Sequence, residues 1–169
     1  YHEMLRPARS GLPGRPITFE AARGERVEIN GRQELIPYGV DLHQRHHIVL
    51  RGFIFFGQSE HGGNNGGFGH VRMVDSSDIL IERCLFDGRM NYINSVHAYG
   101  CRDITIHNNI FMSHHCGIMF HDNSGDFIIT RNTFLGPTIN KIFGNRNGRV
   151  VIRNNLLGES VSRCIAHSG

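Results

Sequence analysis

The sequence has no Trp, a single Lys (Lys141) and only four Cys. It also lacks the run of about 18 apolar residues that a membrane-spanning helix needs, so no membrane span is expected. Cys84, Cys101, Cys116 and Cys164 form no CxxC pair and keep no regular spacing. That argues against a disulfide framework and against a thiolate zinc site, leaving buried free thiols as the expectation. With one Lys, the other 17 of the 18 basic residues are Arg, yet no concentrated basic run with interleaved aromatics occurs. A nucleic-acid partner is therefore not expected. There is no signal peptide either, and the chain opens at Tyr1-His2-Glu3 without an initiator Met, as a trimmed or processed chain would.

What is present is turn-forming. The 169 residues, a length suited to one domain, include 21 Gly, and Asn-Asn or Asn-Gly pairs recur at Asn64-Asn65, Asn108-Asn109, Asn147-Gly148 and Asn154-Asn155. Gly and Asn tolerate positive φ, so turns spaced through short β-branched runs predict an all-β chain of many short strands. Net charge is +3 with the 12 His neutral, and it rises as they protonate below about pH 6.5. That balance suits an acidic partner such as an anionic polysaccharide.

An internal repeat organises the chain. Five segments begin with a polar residue followed by apolar-x-apolar: His47-Ile48-Val49-Leu50, Asp78-Ile79-Leu80-Ile81, Asp103-Ile104-Thr105-Ile106, Asp126-Phe127-Ile128-Ile129 and Arg149-Val150-Val151-Ile152. Each then turns and reaches a further apolar residue, at Phe55, Phe86, Phe111, Phe134 and Leu157. The starts are 31, 25, 23 and 23 residues apart, and a looser copy at Pro16-Ile17-Thr18-Phe19 precedes Ile48 by 31. Apolar-x-apolar is a short strand with one buried face, and a unit this small must stack on copies of itself. The turn position then reads Phe53, Cys84, Asn109, Asn132, Asn155 along the stack. Stacked Asn side chains about 4.8 Å apart can hydrogen-bond as a ladder.

These segments resemble the repeats of right-handed parallel β-helix proteins, the pectate-lyase-like superfamily. The run Ser10-Gly11-Leu12-Pro13-Gly14-Arg15-Pro16-Ile17-Thr18-Phe19, with Ala22-Arg23-Gly24-Glu25-Arg26-Val27-Glu28-Ile29-Asn30-Gly31 after it, resembles the opening of such domains in secreted bacterial lyases of the alginate lyase and chondroitinase B kind. The resemblance implies an all-β solenoid of about six coils, each of three short strands, over 1–169 as a single β-helix domain. It also implies a fragment of a longer β-helix or one unit of an assembly, because the chain stops inside a coil and a bare solenoid end invites self-association. Localisation is expected to be extracellular or periplasmic.

The remaining strand of each coil falls just before each polar-apolar start, at 36–42, 70–74, 95–99, 117–121, 141–145 and 163–167. Alternation places Val71, Met73, Val96, Ala98, Ile118 and Phe120 inside. It leaves His70, Arg72 and Val74, then Ser95, His97 and Tyr99, then Gly117, Met119 and His121, then Lys141, Phe143 and Asn145 on the outer face. Arg72 then lies beside His97, and Tyr99 near His121 and Asn145. The variable loops before these strands, Gly57 to Gly69 and Asp87 to Asn94, would wall a groove.

Lyases of this kind remove the proton at C5 of a uronate while a cation neutralises the carboxylate. The groups available are Arg72 or Lys141 for the carboxylate and His97 or His121 as base, with Tyr99 or Tyr92 as acid. His70, Tyr92, Tyr99, His115 and Asn145 are the candidate substrate-binding residues, and His114 adds to the imidazole cluster. No lysine–arginine pair or acidic cluster of the lyase type aligns with this sequence, so a non-catalytic glycan-binding or assembly β-helix stands as the alternative. No metal ligand is assigned: the turns at Asp75-Ser76-Ser77-Asp78 and Asp122-Asn123-Ser124-Gly125-Asp126 offer oxygens for calcium, but capping of the turns explains them equally. His43, His46 and His47 beside Asp41 form a second, weaker metal candidate.

Overall fold

The computed structural model describes residues 3–30, 37–56, 69–89, 93–136, 138–145, 148–160 and 162–168. Tyr92 and most of the Gly/Asn-rich loop lie outside them. In chain order the strands are β1 (Ile17–Glu20), β2 (Glu28–Asn30), β3 (Tyr38–His43), β4 (His46–Arg51), β5 (Ile54–Phe56) and β6 (Gly69–Val74). Next come β7 (Ser77–Glu82), β8 (Leu85–Asp87), β9 (Asn94–Tyr99), β10 (Arg102–His107), β11 (Ile110–Met112) and β12 (Cys116–His121). The last six are β13 (Gly125–Thr130), β14 (Thr133–Leu135), β15 (Asn140–Asn145), β16 (Val150–Arg153), β17 (Leu156–Leu157) and β18 (Arg163–Ser168). They form three six-stranded sheets: β1-β4-β7-β10-β13-β16 (sheet one), β2-β5-β8-β11-β14-β17 (sheet two) and β3-β6-β9-β12-β15-β18 (sheet three). Every pairing between them is parallel, as in a right-handed parallel β-helix.

The repeat spacing sets the register. Ile17, Ile48, Ile79, Ile104, Phe127 and Val150 pair in one row across sheet one. Uneven coil lengths do not disturb it, because the extra residues of the longer coils fall between strands, before sheet three and, in the first coil, also between β1 and β2.

Sharp corners are made by single residues in the left-handed region. His47, Asp78, Asp103 and Asp126, each the polar residue that starts a repeat, have φ of 54° or 55°. At the next corner Arg83, Asn108, Arg131 and Asn154 have φ of 54° to 57°. A left-handed residue costs roughly 1–2 kcal/mol in an L-chain, least for Asn and Asp. Arg83 and Arg131 have no such local help. Their amides still bond to the next coil, to the carbonyls of His107 and Arg153, so stacking imposes the conformation.

The Asn pairs divide their labour at this corner. The first Asn turns the chain and the second points inward. The backbone amide of Cys84 donates to Asn109 Oδ1 (2.9 Å), that of Asn109 to Asn132 Oδ1 (2.9 Å) and that of Asn132 to Asn155 Oδ1 (2.8 Å). Each Asn Nδ2 donates back to a carbonyl, of Ile81, Ile106 and Ile129 in turn. Replacing Asn132 with Ala strands the Asn109 amide and the Ile106 carbonyl in the interior. At about 1–3 kcal/mol for each buried group left unsatisfied, urea unfolding should show a loss of roughly 3 kcal/mol. A loss below about 1 kcal/mol would refute the ladder's role.

A shorter ladder lines the corner between sheets three and one. Ser76 Oγ accepts from the Arg45 amide and Ser124 Oγ from the Cys101 amide, while Ser124 Oγ donates to the His121 carbonyl. Both serines are buried. The oxygen-rich turns at 75–78 and 122–126 thus commit their serine oxygens to holding the corner.

The core is narrow and continuous. Phe55, Phe86, Phe111 and Phe134 stack coil on coil, with centroids 5.0, 4.8 and 4.7 Å apart and planes within 8° of parallel. Ile and Val from the other two sheets complete it. The four cysteines are free thiols, three of them buried. Burial pushes Cys84 and Cys116 up to about 12 and Cys101 up to about 11, so these three are inert as nucleophiles. No helix among the described residues is long and apolar enough to cross a membrane.

Candidate functional site

Sheet three presents the side chains that the repeat does not use. Its register aligns Asp41, Arg72, His97, Met119 and Phe143 in one row, one from each successive coil. The row two residues further along pairs His43, Val74, Tyr99 and His121. One step beyond the paired Phe120 and Gly144, Asn145 extends that second row.

Arg72 anchors one end. Its Nη1 lies 3.4 Å from Asp41 Oδ1, and Arg6 Nε reaches the other carboxylate oxygen at 3.3 Å. The guanidinium sits over the Tyr38 ring, 5.3 Å from its centroid. Arg72 remains 30% exposed, so part of its fork faces solvent. Burial pushes the Tyr38 hydroxyl up despite the lowering effect of Arg72.

Next to Arg72 the face turns aromatic. The His97 ring packs against Tyr99 (4.5 Å) and edge-on to His121 (5.5 Å, 67° between planes). Tyr99 stacks on His121 at 5.1 Å, and His121 meets Phe143 at 5.8 Å. His97 is only 2% exposed, and its Nε2 is buried without a hydrogen-bond partner. Desolvation, helped by His121 and Arg72, drives its pKa down to about 3, so the ring is neutral. His121 is half-buried, and burial lowers its pKa against the opposing pull of Asp122. Burial likewise raises Tyr99.

Four sequence-predicted site residues therefore meet: Arg72, His97, Tyr99 and His121, with Asn145 at the end of their strip. Others do not. His70 and Lys141 were expected outside, yet both side chains are fully buried. Alternation fails at their position because sheet pairing skips it, passing from Gly69 with Asn94 directly to Val71 with Val96. A Cβ added at Gly39 or Gly117, in the same column, would come within 3.0 or 2.8 Å of the Phe55 or Phe134 ring. This column points into the Phe stack. His70 tilts against Phe55 and Phe86, and Lys141 Nζ donates to the Gly136 carbonyl at 2.6 Å. His115 is half-buried at the opposite end of β12 from His121, about 20 Å away along the strand, where its Nδ1 lies 3.4 Å from Asn94 Oδ1. Tyr92 lies outside the described residues.

The imidazole cluster expected of His97, His114, His115 and His121 does not form: His97 meets His121, while His114 and His115 lie apart from them. His114 belongs with His70: Ser95 Oγ bridges their Nδ1 atoms at 2.8 and 3.2 Å, inside the coil. Likewise His43, His46 and His47 do not converge on Asp41. His43 is exposed, His46 Nδ1 contacts Ser77 Oγ (3.0 Å), and His47 Nδ1 is 3.7 Å from Asp78. Sequence reasoning gave Asp41 and Tyr38 no place beside Arg72. Subtracting one 31-residue coil from Arg72 would have found Asp41. A cavity of about 860 Å³ lined by Leu5, Arg6, Val27, Ile29 and Phe53 opens at the β2 end of the stack and meets the strip through Arg6, the second partner of Asp41.

Comparison with known proteins adds three findings. A family model described as periplasmic copper-binding protein (NosD) matches residues 27–168. No curated protein matches the chain. A solved structure from Parabacteroides merdae, described only provisionally as a glycosyl hydrolase, is 9% identical and covers 81% of each chain with a TM-score of 0.46. At that level the likeness carries no argument about function.

Proposed function

The chain belongs to the NosD family, whose description is periplasmic, and from that premise we propose that it binds and acts on an anionic polysaccharide along the outer face of sheet three. It works outside the cytoplasm, in the extracellular or periplasmic space. One observation carries the proposal: Arg72 and the His97–Tyr99–His121–Phe143 strip lie side by side on a flat parallel sheet. A guanidinium held by one carboxylate but still part-exposed can accept a second carboxylate, that of a uronate. Aromatic rings in line with it offer stacking surface to sugar rings.

Lyase-type chemistry follows from these groups. Arg72 neutralises the uronate carboxylate and so acidifies the C5 proton. His121, neutral and half-exposed, takes that proton through its free lone pair. The electron pair left on C5 forms the C4–C5 double bond as the C4–O bond breaks, and Tyr99 gives its proton to the departing oxygen. In an epimerase the proton would return to the opposite face of C5. His97, more deeply buried, holds the His121 ring in place.

The protein should be incubated with alginate, pectate and glycosaminoglycans while the ultraviolet absorbance of the unsaturated product is followed. His121→Ala should lower turnover roughly 10²- to 10⁴-fold, as the loss of a general base does. Silence across the whole panel removes the lyase reading, and unchanged turnover in the variant removes the site.

A further inference from the structure

We propose that the ligand of this face is a heteropolysaccharide in which a uronate is followed by uncharged sugars, and that Arg6 reserves the charge of Arg72 for that single carboxylate. The inference rests on the polysaccharide reading and narrows it: a continuous polyuronate does not fit.

Leu5 makes a parallel bridge to Val40, its amide donating to the Gly39 carbonyl (2.9 Å) and its carbonyl accepting from the Asp41 amide (3.0 Å). This segment adds one more rung to sheet three, and Arg6 falls beside Asp41. Along the helix axis the outer row then reads Arg6, Asp41, Arg72, His97, Met119, Phe143. Successive members stand about 4.8 Å apart, close to the advance of one sugar in an extended glycan. His97, His121 and Phe143 belong to successive coils, and their rings touch in that order. A glycan lying along these rings therefore runs along the axis and meets a new coil with each sugar.

Fixed positive charge is confined to one end of that path. Asp41 is held by Arg6 Nε at 3.3 Å and by Arg72 Nη1 at 3.4 Å, so two guanidiniums face one carboxylate and the trio carries a net +1. Without Arg6, Asp41 would cancel Arg72 and leave no charge for a ligand. Arg6 is thus a positioning residue that acts through Asp41. Past Arg72, the described residues of this row and of its neighbour, Val74, Tyr99, His121 and Asn145, include no Lys or Arg. His97 is neutral, and burial pushes His121 the same way. On the far side of Arg6 the charge turns acidic. Glu3, Glu20, Glu25 and Glu28 share the cavity with Arg6 and Arg26, and Arg26 is already taken by Glu28 at 2.7 Å. A carboxylate laid on the rings would lose water without gaining a counter-charge, and one laid beyond Arg6 would be repelled. Uncharged sugars meet neither penalty, and their apolar faces stack on the rings. Rejection by uncompensated charge is a general source of such discrimination.

The test is calorimetric titration of the whole chain at neutral pH with three oligosaccharides of equal length. One alternates an unsulfated uronate with N-acetylhexosamine, one is a continuous uronate from alginate, and one is the alternating chain with its carboxyls reduced. The alternating chain should bind roughly tenfold tighter than either of the others, the worth of one hydrogen bond to a charged group. Arg6→Gln should weaken it roughly tenfold, and Arg6→Lys should stay near wild type. Combining Arg6→Gln with Asp41→Asn should recover most of the loss, because the net +1 returns, which a merely structural role for Arg6 would not produce. Far-ultraviolet circular dichroism confirms that each variant is folded. Equal or tighter binding of the continuous uronate overturns the inference and leaves the polysaccharide reading standing. A folded Arg6→Gln that binds the alternating chain as wild type does, or a double variant without recovery, overturns the role of Arg6. If none of the three chains binds, or the reduced chain binds equally well, the anionic polysaccharide reading itself falls and takes the inference with it.

Discussion

Lowering the pH from about 7 to about 5 should remove roughly 4 kcal/mol of folding stability through two histidines alone, His70 and His97. Both are buried, and desolvation holds each at about 3 in the folded chain. In the unfolded chain they titrate at the ordinary imidazole value of about 6.5. Below that value the unfolded state binds protons that the native state refuses, so the contribution is fully present above about pH 6.5 and is lost as the pH falls. At pH 5 each histidine has lost about 2 kcal/mol, at about 1.4 kcal/mol per unit. His114, also pushed well down by burial, with His70 and Lys141 adding to the effect, acts in the same direction. Since a domain's whole margin is about 5–15 kcal/mol, acid unfolding should set in between about pH 4 and 5. Urea titrations followed by circular dichroism check this, because the chain has no Trp to report by fluorescence. His97→Gln should reduce the proton uptake on unfolding by about one. A flat stability profile from pH 7 to 5 would show that these rings are not buried neutral.

The second large effect lies in the ring stack. Phe111 sits between Phe86 and Phe134, at 4.8 and 4.7 Å, and is fully buried. Phe111→Ala opens a cavity that the neighbouring coils cannot close, because the strand ladder fixes their spacing at about 4.8 Å. The expected cost is about 3–5 kcal/mol, and Phe111→Leu, which refills much of the volume, should cost less. Leu156→Ala, at 62% exposed on the outer side of sheet two, should change stability by no more than about 0.5 kcal/mol. If the Phe111 and Leu156 variants lost similar amounts, the rings would not form a continuous core.

Much of the scaffold was legible because stacking repeats local chemistry at fixed register. A row such as Ile48, Ile79, Ile104, Phe127 and Val150 can be read from spacing alone, as can the Asn109–Asn132–Asn155 ladder. Half of the candidate site was legible the same way: simple alternation placed Arg72, His97, Tyr99 and His121 on one face, although neighbouring rings leave His97 buried there. Alternation failed two residues earlier. His70 and Lys141 look like outer-face residues until the skipped pairing at the start of each sheet-three strand is seen.

The sequence by itself determined the fold and its register, and those corners where Asn or Asp stands, since each depends on which residue type recurs at which spacing. The corners at Arg83 and Arg131 are set by stacking. Only the tertiary structure decided where the polar side chains point at the corner into sheet three, and which imidazoles meet. A skipped pairing leaves no mark in the residue pattern, and its effect is to turn a column inward against the Phe stack. Contacts between coils join residues 23 to 31 positions apart, as with Asp41 and Arg72 or His97 and His121. There, coil geometry rather than local preference sets the distance, and with it the chemistry that the face can perform.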